Sequence, residues 1–312
     1  MRTNNIELMC KNTPIIEIKY RYNDKKYSVY VKCEWFSLTG SIKDKVAYGM
    51  LKSAYRQGKL KRGDRIVEVS SGNMGISLVA VARYLGHSVT ILIPKFVSVE
   101  RKKLLKLYGA EVVETEDFSE AFSLLEVYRS IGYYSVMQFE NISNVRVHDS
   151  ITAKEIISKV GHKRVDNFVC GIGTSGTLMG VGGALKKRLG INVIALEPDN
   201  ARIITSPPPY GKHTLQGLSD EILPKIYDDR VVDGVIQITD DDAIAMSRKL
   251  CRDLSLGVGI SSGANFLGAV LSQGNAITVF PDDNKKYLST GLMEEKNTPL
   301  VDSIELLSFR VV

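Results

Sequence analysis

The apolar positions of this chain fall in short, β-branched runs that alternate with stretches in which apolar residues recur every three or four positions. Uninterrupted apolar runs predict buried strands, and the longer period predicts amphipathic helices. The predicted strands are 65–69, 88–94, 110–115, 166–173, 192–198 and 276–283, and the predicted helices are 74–86, 98–110, 119–132 and 177–190. This alternation is typical of parallel sheets covered on both faces, so we predict an α/β fold of two doubly wound halves.

Two segments lack this alternation. The stretch TSPPPYGKHTLQGLSDEILP (205–224) contains three consecutive prolines, which predicts a long irregular connection of the kind that often carries function. The last stretch, MEEKNTPLVDSIELLSFRVV (293–312), is compatible with an arm that contacts another subunit or with a last helix and strand. We expect the two halves to join between Gln138 and Asp149.

Charge narrows the class of partner. The chain has 312 residues and a net charge of +6, but its 41 basic residues are interspersed with 35 acidic ones and form no long cationic block. We therefore expect no nucleic-acid partner, whereas an anionic small molecule fits this balance. No run approaches the length of a membrane span and the start resembles no export signal, so we expect no membrane insertion.

Cysteine and histidine spacing bears on two other kinds of site. The cysteines lie far apart without a CxxC pair, which indicates reduced thiols in a cytoplasmic protein. The histidines show neither HExxH nor paired ligand spacing, so we predict no metal site. The cysteines are Cys10, Cys33, Cys170 and Cys251, and the histidines are His87, His148, His162 and His213.

The stretch SLTGSIKDKV (37–46) places a lysine behind a small-residue turn. Gly40 permits the turn, Ser41 can cap a helix, and Lys43 then lies in the first helical turn. A cation is disfavoured at a helix start, so Lys43 loses its proton more easily, as a Schiff-base amine must. The alternative is an ordinary surface lysine.

The stretch EVSSGNMGIS (68–77) joins a predicted strand to a predicted helix through hydroxyls and a glycine. Backbone N–H groups and hydroxyls at a helix start bind anions such as a carboxylate, and Asn73 adds a side chain that both donates and accepts. The alternative is a plain connection between strand and helix.

The stretch GIGTSGTLMG (171–180) follows another apolar strand and satisfies G-x-G-x-x-G, with Glu197 closing the next strand. These features are those of a dinucleotide-binding fingerprint, which leaves a nicotinamide-dependent oxidoreductase as an alternative. However, Thr174, Ser175 and Thr177 add three hydroxyls, which suit a terminal phosphate monoester better than a pyrophosphate. The motif also lies in mid-chain, whereas a dinucleotide fold usually begins with it.

Several blocks of this sequence occur together in one order. They are GSIKDK around Lys43, SSGNMGI (70–76), MQFEN (137–141), GIGTSGT (171–177) and GISSGA (259–264), with NTPIIEI, LQGL and PDDNKKYLST as shorter additions. In this order they resemble the cysteine synthases and cystathionine β-synthases, which are fold-type II pyridoxal-phosphate-dependent β-replacement enzymes. The resemblance covers roughly residues 12–290.

The resemblance implies a fold of the tryptophan synthase β-like type and pyridoxal 5′-phosphate as cofactor. A smaller mobile α/β domain, 38–145, would carry the substrate carboxylate loop, and a larger domain of 1–37 and 146–312 would carry a phosphate cup. The partners it implies are small amino-acid substrates and a second copy of the chain in a homodimer.

The resemblance also implies a role for each matching residue. Lys43 would hold the cofactor and move the substrate Cα proton, Asn73 would bond the cofactor 3′-oxygen, and Ser261 would face the pyridine nitrogen. The phosphate cup would consist of Gly173, Thr174, Ser175, Gly176 and Thr177. The substrate site would consist of Ser70, Ser71, Gly72, Asn73, Met74, Gln138 and Gly217.

Two departures from cysteine synthases bear on the reaction. Their carboxylate loop usually ends in threonine where this chain has Met74, and they have small or apolar residues where Asp220 and Glu221 stand. These two carboxylates are either catalytic, as a base toward water or a proton carrier for sulfur, or a solvated acidic pair.

The expected reaction is β-elimination and β-replacement on cysteine or an O-activated serine through an aminoacrylate. Synthesis of cysteine from O-acetylserine and sulfide is the first expectation. The alternatives are breakdown of L-cysteine to hydrogen sulfide and L-serine, and a cystathionine-type condensation. A catalytically silent relative is a further alternative, against which the intact Lys43 argues.

Overall fold

Two sheets form the framework of the protein. The computed structural model describes residues 2–70, 72–219 and 222–312. The strands are β1 (Ile15–Tyr22), β2 (Lys25–Cys33), β3 (Ile66–Val69), β4 (Val89–Pro94), β5 (Glu111–Thr115), β6 (Asn167–Gly171), β7 (Asn192–Pro198), β8 (Gly234–Ile238), β9 (Ala276–Phe280) and β10 (Glu305–Val311). The α-helices are α1 (Arg2–Met9), α2 (Lys43–Arg56), α3 (Asn73–Leu85), α4 (Val99–Leu107), α5 (Phe118–Ser130), α6 (Ile142–Val147), α7 (Lys154–Val160), α8 (Gly183–Leu189), α9 (Asp240–Leu254), α10 (Ile260–Leu271) and α11 (Pro299–Asp302).

Two of these helices extend through π-helical segments. His148–Ala153 joins α6 to α7, so residues 142–160 are helical throughout. Leu178–Gly182 leads into α8 and makes residues 176–189 one helix. Short 3-10 helices occur at Glu34–Phe36, Asp229–Val231, Asn284–Tyr287 and Gly291–Met293.

The larger sheet has seven strands in the order β10-β1-β2-β9-β6-β7-β8. Its strands from β2 to β8 are parallel, whereas β1 pairs antiparallel with both β2 and β10. The smaller sheet has three parallel strands in the order β3-β4-β5. The predicted α/β class with parallel sheets is confirmed, while the domain limits 38–145 and 1–37 with 146–312 stay a prediction.

Both faces of the larger sheet are covered by helices, because its central strands are apolar on both sides. On one face Val169 and Leu196 pack against α9 and α10 in one buried cluster. On the other face Phe168 and Val193 pack against residues of helix 176–189, such as Leu185. Core packing on both faces fixes the strand ends, and the loops that follow them, in place.

The sequence pattern did not predict the first hairpin. It also did not decide whether the tail, 293–312, is an arm that contacts another subunit or a last helix and strand. β1 and β2 are joined by Asn23 and Asp24, which both have positive φ, as a two-residue type I′ turn requires. The tail forms a last helix, α11, and a last strand, β10, on the edge of the larger sheet. The described part of 205–224 is irregular, as predicted. Nowhere in the described chain is a helix long and apolar enough to cross a membrane.

Candidate functional site

The three motif loops predicted from the sequence meet in one cavity. Each follows the carboxyl end of a parallel strand, which is where open α/β sheets bind ligands. The cavity, with its open mouth included, has a volume of about 770 Å³. Its described lining residues are Ile42, Lys43, Ser70, Asn73, Met74, Arg101, Gln138, Cys170, Gly171, Gly173, Thr174, Ser175, Gly176, Thr177, Leu178, Gln216, Gly217, Leu218, Ser261, Asn265, Val279 and Pro281.

Lys43 is the first residue of α2 and is half-buried in the cavity wall. The predicted cap is shifted by one position, because Ile42 occupies the N-cap while the Ser41 hydroxyl accepts from Lys43 N at 3.3 Å. The turn before it has Gly40 at φ +76°, as expected of a glycine turn. Lys43 Nζ donates to Thr174 Oγ1 at 3.2 Å, so the lysine reaches the third motif loop.

The loop from Gly173 to Thr177 is an anion cradle without room for further side chains. A Cβ on Gly176 would lie 1.9 Å from Asn144 Oδ1, and one on Gly173 would lie 2.4 Å from the Gly217 carbonyl oxygen. Ser175 has φ +65°, and its buried hydroxyl has no partner among the described residues. A hydroxyl left without a partner at the start of helix 176–189 fits a phosphate oxygen.

Thr177 is supported from behind by a buried histidine. His148 Nε2 lies 3.3 Å from Thr177 Oγ1, and His148 Nδ1 lies 3.0 Å from Thr152 Oγ1. Burial lowers the pKa of His148 well below its ordinary value, and the charges of Lys43 and Lys45 lower it further. The imidazole is therefore neutral at physiological pH, with one N–H and one acceptor nitrogen for the two hydroxyls.

The Ser70–Met74 loop is built around one hydroxyl and one glycine. Ser70 Oγ accepts from Gly72 N at 3.1 Å and from Gly75 N at 2.8 Å, which shapes the start of α3. Gly72 has φ +153°, and a Cβ there would lie 2.4 Å from Arg101. Met74 is buried in the wall, where its thioether supplies no hydroxyl donor.

Gln138 reaches the cavity from a loop that Glu68 supports. Gln138 Nε2 donates to the Val69 carbonyl at 3.1 Å, which ties it to the end of β3. Glu68 Oε2 accepts from Ser135 Oγ at 2.8 Å and from Met137 N at 3.0 Å, next to Gln138. Burial raises the pKa of Glu68 to about 7, although these hydrogen bonds oppose the rise.

Ser261 lies in the first turn of α10 and is buried in the cavity wall. Asn265, one turn later, accepts from Gly171 N at 2.8 Å and donates to the Val279 carbonyl at 2.7 Å. It therefore clamps β6 to β9 directly below the cavity. Cys170 lies in the same wall, where burial raises the pKa of its thiol to about 12, so it is not a nucleophile.

Most of the predicted site residues line this one cavity. Ser71, Asp220 and Glu221 lie outside the described residues, so their predicted roles stay predictions. Gly217 lines the cavity with φ +93°, and Gly72 shapes the loop through its contact with Arg101. Within the described ranges no three His, Cys, Asp or Glu side chains are grouped as metal ligands.

Sequence reasoning missed two residues that line the cavity, Arg101 and Asn265, and two that support it, Asn144 and Asp282. Asn144 donates to Thr174 Oγ1 at 3.0 Å, and Asn265 interrupts the apolar run of α10. Among the four, only Asn265 lies in a distinctly apolar helix, where a polar residue is a sequence signal for a buried hydrogen-bonding group.

The donor set of the cavity fits pyridoxal phosphate. The cradle with its unpartnered Ser175 hydroxyl suits a phosphate monoester, Lys43 supplies the amine for an aldehyde, and Ser261 adds a further hydroxyl in the cavity wall. A dinucleotide would require close backbone approach to a pyrophosphate, but the cradle offers hydroxyls instead.

Three comparisons with known proteins agree with this donor set. The sequence profile of the family described as pyridoxal-phosphate dependent enzyme matches residues 6–282. A cysteine synthase of Staphylococcus aureus is 38% identical over 300 residues, which cover 92% of this chain and 96% of that protein. A hydrogen sulfide-producing enzyme from Fusobacterium nucleatum superposes with a TM-score of 0.95 at 36% identity, covering 100% of this chain and 98% of that one. Its aspartate-to-asparagine variant, in complex with an α-aminoacrylate intermediate, superposes with a TM-score of 0.96.

Proposed function

The chain belongs to the family of pyridoxal-phosphate dependent enzymes, and we propose that its own reaction is the release of hydrogen sulfide from L-cysteine with formation of L-serine. Membership confirms the resemblance predicted from the sequence. It also confirms the cofactor, pyridoxal 5′-phosphate, and a chemistry of β-elimination or β-replacement on cysteine or an O-activated serine. The choice of leaving group and nucleophile is the proposal.

The described residues divide the work of holding cofactor and substrate. Lys43 would hold the cofactor through its aldehyde and would take the proton from the substrate Cα, because its amine lies at the cavity wall beside the cradle. Gly173, Thr174, Ser175, Gly176 and Thr177 bind the phosphate through backbone N–H groups and hydroxyls. Ser70, Asn73, Met74, Gln138 and Gly217 line the cavity and would contact the substrate, while Gly72 shapes the loop between Ser70 and Asn73.

Ser261 selects the type of chemistry. When bound, pyridoxal phosphate withdraws electrons from the substrate Cα. If Ser261 faces the ring nitrogen, as the resemblance implies, its neutral hydroxyl would not stabilise a protonated ring as a carboxylate would. Charge therefore stays nearer the substrate, which favours departure of the β-substituent over transamination.

The proposed direction of the reaction, breakdown of cysteine, is supported by the part of the cavity wall that Gln216, Gly217 and Leu218 form. The described lining residues include two cations, Lys43 and Arg101, and no carboxylate. The wall segment leads in sequence to Asp220 and Glu221, two and three positions after Leu218. A thiolate is a poorer leaving group than acetate, so cysteine breakdown needs a proton carrier that acetate release does not.

In the proposed reaction L-cysteine and water give L-serine and hydrogen sulfide. Lys43 takes the Cα proton, the Cβ–S bond breaks, and the sulfur leaves with a proton supplied through Asp220 or Glu221. The same carboxylate then takes a proton from water as the Cβ–O bond forms. Lys43 finally returns a proton to Cα, so no oxidant or reductant is required.

The experiment measures both directions on the same preparations. Sulfide from cysteine alone and cysteine from O-acetylserine with sulfide are assayed for wild type, Asp220→Asn, Glu221→Gln and, as a control, the exposed Asp229→Asn. We expect one of the first two changes to lower sulfide release by about 100-fold or more while cysteine formation falls much less. Unchanged sulfide release in both would overturn the proposal.

A second candidate is cysteine synthesis from O-acetylserine and sulfide. The 38% identity to the Staphylococcus aureus cysteine synthase favours it. Departure of acetate needs no proton carrier, so Asp220→Asn and Glu221→Gln would slow cysteine synthesis only in the addition of sulfide, which is the reverse of the sulfide-release step. The paired assay therefore separates the two candidates.

We also propose a homodimer in the cytoplasm. Several large apolar side chains are exposed, among them Phe36 at 60% and Phe96 at 65%, as expected where a second copy covers part of the surface. Among the described cysteines none forms a disulfide, which suits a reducing compartment. Light scattering of the purified protein measures the dimer directly, and a monomer at assay concentration would exclude it.

A further inference from the structure

Asp282 follows the carboxyl end of β9 and is fully buried beside the cavity. Its Oδ2 accepts hydrogen bonds from Asn73 Nδ2 and from Tyr287 Oη, each at 2.8 Å. Arg101 Nη2 donates to Tyr287 Oη at 2.7 Å and lies 3.8 Å from Asp282 Oδ2. These four side chains, which we call the Asp282 network, connect α4 and the loop after β9 to the start of α3.

The backbone of Asp282 is fixed from two sides. It forms an antiparallel bridge with Ser41, two positions before Lys43. Its carbonyl accepts from Gly259 N at 3.0 Å, two positions before Ser261. A Cβ on Gly259 would lie 2.0 Å from Asp282 Oδ1, so the carboxylate fills the space that a side chain would need. Asp282 is therefore held in a constant position relative to both Lys43 and Ser261.

The Asp282 carboxylate determines the orientation of the Asn73 side-chain amide, that is, which of Nδ2 and Oδ1 points toward Asp282. A carboxylate oxygen accepts and does not donate, so Asn73 has to offer its Nδ2 to Asp282. Exchange of the amide ends would bring two acceptors together and lose a charge-assisted hydrogen bond. Asn73 Oδ1 is buried and has no partner among the described residues. The hydrogen bond to Asp282 therefore fixes which edge of the amide is presented to the cavity.

We propose that Asp282 is a positioning residue that fixes which edge of the Asn73 amide faces the bound cofactor. Tyr287 and Arg101 hold the Asp282 carboxylate for this task. The inference rests on the proposed function for its cofactor, pyridoxal phosphate, and on the role that the resemblance implies for Asn73, a hydrogen bond to the cofactor 3′-oxygen. An amide N–H favours that phenolic oxygen in its deprotonated form, whereas an amide carbonyl favours the protonated form.

The test follows the absorption spectrum of the holoenzyme, because the proton on the 3′-oxygen changes the ratio of the visible band to the near-ultraviolet band. Asp282→Ala removes the acceptor, while Asp282→Asn keeps one oxygen that can accept from Asn73. Asp283→Asn is the matched control, since Asp283 Oδ1 caps Lys285 N at 3.1 Å and asparagine caps equally well. Asn73→Ala and the double variant with Asp282→Ala complete a mutant cycle.

We expect Asp282→Ala to change the band ratio about 2- to 10-fold and to weaken pyridoxal phosphate binding by a similar factor, as for loss of one hydrogen bond. Asp282→Asn and Asp283→Asn should stay near wild type. In the Asn73→Ala background, Asp282→Ala should change the ratio no further. Tyr287→Phe, which loses a donor to Asp282 at constant shape, should change the ratio in the same direction, so the test survives if Asp282→Ala does not fold.

Three outcomes would overturn the inference. The first is an unaltered spectrum in Asp282→Ala and Tyr287→Phe, and the second is an additive double variant. The third is an Asp282→Asn protein as altered as Asp282→Ala, because the carboxylate would then act through its charge. If Asn73→Ala leaves the spectrum unchanged, the Asn73 assignment fails with it. The sulfide assay is independent of all four results, so a wrong direction of reaction is recognised separately.

Discussion

The ammonium nitrogen of Lys43 lies 3.2 Å from the hydroxyl of Thr174, although the two residues are 131 positions apart. This contact joins the start of α2 to the loop after β6 and so connects the amine to the phosphate cradle. Both elements follow strands of the larger sheet, β2 and β6, so one framework positions the amine and the cradle. This relationship is the geometric basis for the predictions below.

Replacement of Lys43 by alanine should remove covalent attachment of the cofactor. We expect the Lys43→Ala protein to resist borohydride reduction and to lose at least about a thousand-fold in turnover, because the Cα proton has no acceptor. Absorbance before and after borohydride, with mass spectrometry, measures this. Lys52→Ala on the same helix, where the lysine pairs with Glu7 at 2.8 Å, should behave as wild type. Borohydride-fixed cofactor in Lys43→Ala would contradict the assignment.

A methyl group at Gly176 should damage the phosphate cradle. It would lie 1.9 Å from Asn144 Oδ1, so Gly176→Ala must displace Asn144 from Thr174. We expect pyridoxal phosphate to bind at least about tenfold more weakly, as overpacking costs about 1–3 kcal/mol. Gly183→Ala in the same helix meets open space and serves as the control. Equal affinities of the two variants in an absorbance titration would rule out this account of the cradle.

Glu68 should make stability fall as pH rises. Its pKa is raised by burial from an ordinary value of 4.5 to about 7, so between these values the folded chain retains a proton that the unfolded chain has lost. The free energy of unfolding therefore decreases across this window, by roughly 3 kcal/mol for this group. Glu68→Gln should flatten that part of the pH profile in urea unfolding, while Glu126→Gln on the surface should not. A profile as steep in Glu68→Gln as in wild type would contradict the prediction.

Met74→Thr should restore a hydroxyl to the substrate side of the cavity. One added hydrogen bond to a substrate carboxylate contributes about 0.5–1.5 kcal/mol, so we expect KM for the amino acid to fall about 2- to 10-fold. Ile76→Val, also buried in α3, is the control for a smaller side chain without a new hydroxyl. Steady-state kinetics measure both. A KM that rises equally in the two variants would mean that packing outweighs the hydroxyl.

The sequence could predict the parts of the site whose chemistry is local. Short loops between a strand and a helix contain Gly40, the cradle glycines and the hydroxyls beside them. The backbone conformation that such a loop requires can be inferred from a segment of about ten residues. The cap at Ser41 was predicted one position early, because the backbone bridge between Ser41 and Asp282 decides where α2 begins. Tertiary contact overrode the local preference there.

The supporting residues could not be predicted because their partners are distant. Asn73 meets Asp282 across 209 positions, and Arg101 meets Tyr287 across 186. Local pattern gives Arg101 the appearance of a surface residue in a basic helix, yet its side chain is 1% exposed. An arginine that is buried against an aspartate and a tyrosine depends on the positions of both. Because these partners are distant in sequence, the local sequence pattern holds no information about them.

The pairing of β10 with β1 brings the two ends of the chain together in one sheet, with Ile16 opposite Val311. Because β1 precedes β10 by most of the described chain, one edge of the larger sheet stays without its partner strand while the intervening residues are synthesised. The strands of the smaller sheet all lie between Ile66 and Thr115, so that sheet has all of its partners much earlier. We therefore expect the smaller sheet to be completed before the larger one during synthesis, and the edge of β1 to be open to aggregation until β10 is made.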